Sequence, residues 1–115
     1  MPVDNITNPL ITNENRMKLG AMAMNCSHGS TITMADNAWQ MTWPDTLDVC
    51  RMADGAGLEA LLPVGRWKGY GGATNFNNRT FECFTWAAGV SAVTKYSCVF
   101  STTHVPLTHP VAAAK

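Results

Sequence analysis

Neither sign of charge prevails in this chain: eight Lys and Arg offset eight Asp and Glu, and charged residues make up only 14% of its 115 positions. A nucleic-acid partner calls for a basic face and an anionic membrane for a cationic excess, so neither partner is expected. Long apolar runs are missing too. Each breaks within about ten residues where a spanning helix needs roughly 20, and no transmembrane segment is predicted. Residues 1–16 form a polar arm rich in Asn and Thr, without the basic start and apolar core of a secretory signal, which predicts a cytoplasmic address. The four cysteines, Cys26, Cys50, Cys83 and Cys98, include no C-x-x-C pair, so free thiols and no metal site are expected. The Asn-x-Ser/Thr triplets at Asn5, Asn25 and Asn78 carry no weight without a secretory signal. A phosphate-binding P-loop is absent, and Gly69 and Gly71 lack the third glycine and following helix of a dinucleotide fingerprint.

What is present is apolar: 46% of the residues are hydrophobic, too many for a disordered chain and suited to one small folded unit. Met17 to Asn25 is a compact apolar run bounded by Asn, read as a first strand. Thr42 can cap a helix whose first turn takes Pro44 and Asp45, and Leu47, Cys50 and Ala53 then recur at helical spacing until Gly55 to Gly57. Leu58 to Val64 reads as a second strand. Gly65 to Arg79 is a long Gly- and Asn-dense loop, a length that usually has a function. Thr80 is expected to cap a second helix with an apolar stripe of Phe81, Phe84, Ala88 and Ala92, flanked by Cys83 and Ala87, ending near Thr94. Tyr96 to Thr103 has the best strand propensity, Pro106 and Pro110 bracket a turn, and Val111 to Lys115 begins another helix.

This alternation calls for α/β architecture with parallel strands joined by right-handed crossovers. Helices would cover one side of such a sheet and leave the other, with Leu61 and Val99, open. Three strands with two bare edges are fewer than a closed barrel requires, so residues 17–115 are expected to be the first part of a truncated barrel.

In parallel β/α proteins the strands' carboxyl ends converge on one face, and ligands meet the loops beyond them. Three segments qualify here: Asn25, Cys26, Ser27 and His28; Gly65, Arg66, Trp67 and Lys68; and Thr102, Thr103 and His104. Polar donors, two cations and an aromatic at one rim suit a flat, partly anionic ligand better than a metal. Gly65 to Gly72 sets cations beside backbone that can approach a ligand closely. His104, directly after the third strand, is the acid–base candidate, whereas His109 precedes Pro110 and is expected to help start the last helix. Asn25 and Lys68 are substrate-side candidates. Cys26 and Cys98 are read as packing residues, and packing is the expected role for each of Trp39, Trp43, Trp67 and Trp86.

Four segments carry a family resemblance: Lys18-Leu19-Gly20; Leu62 through Gly72 (Leu-Pro-Val-Gly-Arg-Trp-Lys-Gly-Tyr-Gly-Gly); Phe84 through Gly89 (Phe-Thr-Trp-Ala-Ala-Gly); and Val105 through Val111 (Val-Pro-Leu-Thr-His-Pro-Val). Over residues 8–115 the chain resembles the opening third of bacterial-luciferase-like flavin monooxygenases, nearest the dimethyl sulfone, alkanesulfonate and pyrimidine monooxygenase branch. The resemblance implies a (β/α)8 TIM barrel of which the first three βα units are here. It implies reduced FMN from a separate NAD(P)H-dependent flavin reductase, O2 activated as a flavin peroxide, and oxygenation of a small organic, including organosulfur, substrate. It implies FMN contacts at Gly65 and Arg66, and at Ser101 and Thr102 a pair lying against the isoalloxazine, joined in some relatives by a cis peptide. Homo-oligomers built through early helices are also implied for the full-length enzyme. His28-Gly29-Ser30 and Gly65 depart from the family pattern, which bears on substrate preference. Two other readings compete: a non-catalytic βα remnant that serves as an interaction element, and a deazaflavin-dependent dehydrogenase of the same fold.

Overall fold

The computed structural model describes residues 8–115, so the first seven residues of the polar arm, with the Asn5 triplet, lie outside it. The rest of the arm is not bare coil. Asn8 accepts the Leu10 amide through its side chain and Pro9 sits in the first turn, which starts a short helix α1, Pro9–Thr12. Three strands follow in chain order, β1 (Gly20–Met22), β2 (Ala60–Leu62) and β3 (Cys98–Val99), pairing in parallel as β1-β2-β3. The crossovers contain α2 (Trp43–Gly55) and α3 (Cys83–Ser91). A 3-10 turn, Val105–Leu107, and α4, Pro110–Ala114, complete the described chain. The expected α/β alternation and parallel strands are therefore observed.

The strands are shorter than their apolar runs. β1 stops where Ala23 turns into the left-handed region at φ 70°, which an extended ladder cannot accommodate. β2 stops at Pro63, which has no amide to donate. Helix α2 begins as its sequence predicts: the Thr42 hydroxyl accepts the Asp45 amide at 3.3 Å, with Pro44 in the first turn. Helix α3 does not. Thr80 is not its cap, because the Thr80 hydroxyl donates to the Arg66 carbonyl at 2.8 Å. Glu82 caps instead, its carboxylate accepting the Phe84 and Thr85 amides at 2.9 and 2.8 Å. Acid at the positive end of the helix dipole is favourable there.

The face of α3 that turns inward is not the expected one. Cys83, Trp86 and Val90 are buried, while Phe84, Ala88 and Ala92 of the expected stripe are exposed. Both faces carry small or aromatic residues, so the sequence pattern alone could not orient the helix. The core joins Trp86 and Val90 to Met24, Cys50 and Leu61, with Ala21, Val49, Ala53, Phe81, Ala87 and Val99 packed around them. Leu61 and Val99 were expected on the open side of the sheet. Leu61 is instead fully buried under the helices, with Val99 packed beside it. Side chains alternate along a strand, and the exposed positions are Met22, 58% accessible, and Phe100 just beyond β3.

All four cysteines are free thiols. Burial pushes the Cys26 and Cys50 thiols up to about 11, which keeps them inert and agrees with a packing role.

At the amino end of β2 a buried carboxylate fastens the arm to the sheet. Glu59, 2% exposed, accepts the Asn15 and Asn13 side-chain amides at 2.7 and 2.9 Å and the Leu19 backbone amide at 2.7 Å. The ammonium of Lys18 in turn donates to the carbonyl and side-chain oxygens of Asn13. The Asn15 donor leads these contacts, which together outweigh desolvation and hold the Glu59 carboxyl at about 2, against an ordinary 4.5. Because the folded value is depressed, this stabilisation is complete above the ordinary carboxyl range and disappears as pH falls through it toward about 2. Urea unfolding at pH 6 and pH 3 tests this. The parent chain should lose midpoint across the interval and Glu59→Gln should lose distinctly less, whereas equal losses would remove Glu59 as a source of acid sensitivity.

Candidate functional site

The carboxyl ends of β2 and β3 open into a cavity of about 350 Å3, lined among others by Gly65, Arg66, Thr102, Thr103 and His104. That volume is within the range of small-molecule sites. Helix α3 and the residues before it supply the opposite wall, with Phe81, Glu82, Cys83 and Phe84. Two of the three strand-end segments predicted to converge therefore meet.

The third segment acts differently. Asn25, after β1, is fully buried. Its side-chain amide donates to the carbonyls of Val64 and Phe81 at 2.9 and 3.2 Å, and its Oδ1 accepts the Val64 amide at 2.8 Å. Its backbone carbonyl takes the Phe81 amide at 2.8 Å. Every strong bonding group of the Asn25 side chain is spent on tying β1 to the residues that precede Gly65 and to the approach to α3. Asn25 thus builds the walls and is not among the lining residues.

Arg66 is held by its ring neighbour. Its guanidinium carbon lies 3.8 Å from the centroid of the Tyr70 ring, a cation–π contact, and its carbonyl accepts the Thr80 hydroxyl. Its Nε is buried without a hydrogen-bond partner. A buried donor left unmatched is costly. Lys68, two residues on, is exposed and does not line the cavity. On the β3 side the Thr102 hydroxyl donates to the Cys83 sulfur at 3.3 Å. The Ser101 hydroxyl is buried without a partner and lies outside the cavity lining, and the Ser101–Thr102 peptide is trans.

His104 stands at the cavity with its ring stacked on Trp67, centroids 5.3 Å apart and planes 12° from parallel. That stack could not be read from the sequence, since the two residues are joined only through the β2–α3–β3 crossover. The other tryptophans serve packing: Trp86 is core, Trp43 meets Phe81 edge-on at 5.4 Å, and Trp39 is half-buried. His109 is the N-cap of α4, its Nδ1 accepting the Val111 amide, as its position before Pro110 suggests. His28 takes a left-handed backbone at φ 67° and is absent from the cavity wall. Cys83 and Thr108 line the cavity without a sequence signal that could have nominated them.

The Gly- and Asn-dense loop after Arg66 is fastened along its length. The side-chain amide of Asn77 donates to the carbonyls of Ser27 and Gly29, Ser27 donates to Asn78, and the Arg79 guanidinium reaches the Gln40 carbonyl. Asn75 and Asn77 both take positive φ, a conformation asparagine tolerates better than most residues. The loop thereby holds Arg66 and Trp67 at the cavity, and the site combines one cation, hydroxyls, an imidazole and a thiol around a cleft.

Among known proteins, the chain is similar to the pyrimidine monooxygenase RutA of a Bradyrhizobium species, 28% identical over 99 residues. That match takes in 86% of this chain and 28% of the relative, so the chain spans less than a third of the protein it matches. No protein-family model matches the chain.

Proposed function

We propose that this chain is part of a flavin-dependent monooxygenase of the luciferase-like family, a TIM-barrel enzyme, in which the ends of β2 and β3 grip one side of reduced FMN. The observation that carries the reading is the cleft where Gly65, Arg66, Thr102 and His104 meet, with the Arg66 guanidinium held over the Tyr70 ring. The likeness to a pyrimidine monooxygenase supports it independently.

The residues present fit such a group. Arg66 offers a fixed cation to the electron-rich edge of a reduced flavin, where preorganised charge in a sheltered site is most effective. Gly65 leaves room for close approach, and Thr102, with Ser101 beside it, offers a hydroxyl and backbone at the ring edge. Bound reduced flavin would supply the electrons for activating O2. His104 would hold a proton next to the small organic substrate, and Lys68 would meet that substrate from the rim. A separate reductase delivering FMNH2 and a homo-oligomeric full-length enzyme belong to the same proposal.

Arg66 gives the direct test. Anaerobic titration with reduced FMN, followed by equilibrium dialysis, should show Arg66→Ala raising the dissociation constant by about tenfold to a hundredfold, the value of a hydrogen bond to a charged group. An unchanged constant, with the parent binding, would take Arg66 out of the flavin site.

A further inference from the structure

His104 sits at the cavity with no hydrogen bond to orient it: neither ring nitrogen has a protein partner among the described residues, although its backbone carbonyl accepts the Leu107 amide. An imidazole without such a bond must take its orientation from packing. Two neighbours provide it. The Trp67 indole lies parallel to one face of the ring, and the edge carrying Nδ1 and Cε1 turns toward Gly65. A Cβ on Gly65 would stand 3.1 Å from Cε1 and 3.4 Å from Nδ1 of His104, and 3.3 Å from the Thr102 hydroxyl. Such contacts are tighter than side chains ordinarily tolerate, so the imidazole or the hydroxyl would have to yield.

The glycine is not required by its backbone. Gly29, Gly57, Gly71 and Gly72 take positive φ and Gly65 does not, so alanine could adopt the Gly65 backbone. What residue 65 contributes is absent volume directed at two groups of the cavity wall. We infer that Gly65 and Trp67 are positioning residues that seat the His104 imidazole: the missing Cβ makes room for its edge, and the indole fixes its plane. The functional consequence rests on the flavin reading, because an imidazole held this way presents its proton in one direction to whatever shares the cleft. The geometry itself does not depend on that reading.

The chain contains three histidines, which makes the test specific. The imidazole Cε1 protons of His28, His104 and His109 are followed by NMR, with His104→Gln identifying the His104 signal. A ring stacked on indole has its proton displaced upfield by the ring current. Trp67→Leu should abolish that displacement for His104, and Gly65→Ala should move the same signal, while His28 and His109 stay in place. Trp67 is 79% exposed, so its replacement leaves the core untouched and keeps the test available even if Gly65→Ala fails to fold. A His104 signal indifferent to Trp67→Leu, or a folded Gly65→Ala chain with His104 unmoved, would overturn the inference. Reduced FMN titrated into the same samples separates the two claims. Gly65→Ala should weaken flavin binding by roughly tenfold, one modest overpacking penalty. A selective His104 shift in the chain, together with a full-length enzyme that binds no reduced FMN, would sink the flavin reading and leave the seating intact.

Discussion

Asn25→Ala should lower the unfolding free energy by about 3 kcal/mol or more, because it strands the Val64 amide and the Val64 and Phe81 carbonyls at a position with no access to water. Leaving a buried partner unmatched costs on the order of 1–3 kcal/mol each, so several at once consume a large share of the 5–15 kcal/mol typical of a whole domain. Asn25→Asp sharpens the argument. The carboxylate keeps an acceptor for the Val64 amide but faces two carbonyl oxygens with no donor, so it should be nearly as damaging despite its matching shape. Urea unfolding followed by far-ultraviolet circular dichroism measures both. A midpoint for either variant near that of the parent would mean that the three segments hold together without Asn25. The same lesion should loosen the cavity, since Asn25 anchors Val64 directly before Gly65 and Phe81 directly before Glu82 and Cys83.

Trp86→Ala should cost about 3–5 kcal/mol, the usual range for deleting a large aromatic from a packed core. Trp86 is 1% exposed and shares the core with Leu61, Cys50 and Val90, so no solvent can fill the gap and the short strands offer little slack for collapse. Trp86→Phe should behave differently. The indole nitrogen of Trp86 is buried without a hydrogen-bond partner, and phenylalanine removes that unmatched donor while keeping most of the ring. The relief, on the order of 1–3 kcal/mol, offsets much of the lost packing, so Trp86→Phe should stay within about 1 kcal/mol of the parent. Thermal or urea unfolding of the pair decides it. Equal losses in the two variants would show that the indole N–H is stabilised in place.

The two predictions mark what could and could not be anticipated from residue types. Composition makes Trp86 a packing residue, yet the spacing in α3 points to Phe84, Ala88 and Ala92 for the buried stripe. With small residues on both faces, the inward side is settled by packing of Trp86 and Val90 against the sheet and α2, and the Glu82 cap sets only where the helix starts. Asn25 follows a predicted strand, which places it by sequence with the ligand-facing residues. Only the positions of Val64 and Phe81 around it revealed that its amide is consumed by backbone. The loop after Gly65 was conspicuous for its glycines and asparagines. That Asn77 and Asn78 bind it to the loop after β1 depends on two segments distant in the chain.

By itself the sequence determined the order of strands and helices, the start of α2 at Thr42, the role of His109 at the head of α4, and the grouping of Gly65, Arg66, Thr102 and His104 beyond strand ends. These are consequences of local chemistry: caps, proline geometry, β propensity and the rule that parallel strands share one carboxyl face. Only the tertiary structure decided which side of the sheet Leu61 faces, which face of α3 is buried, why Gly65 has no side chain, and that Trp67 lies on His104. Each of those is settled by whether two groups remote in sequence can occupy adjoining volumes without overlap, a condition on packing that no window along the chain contains.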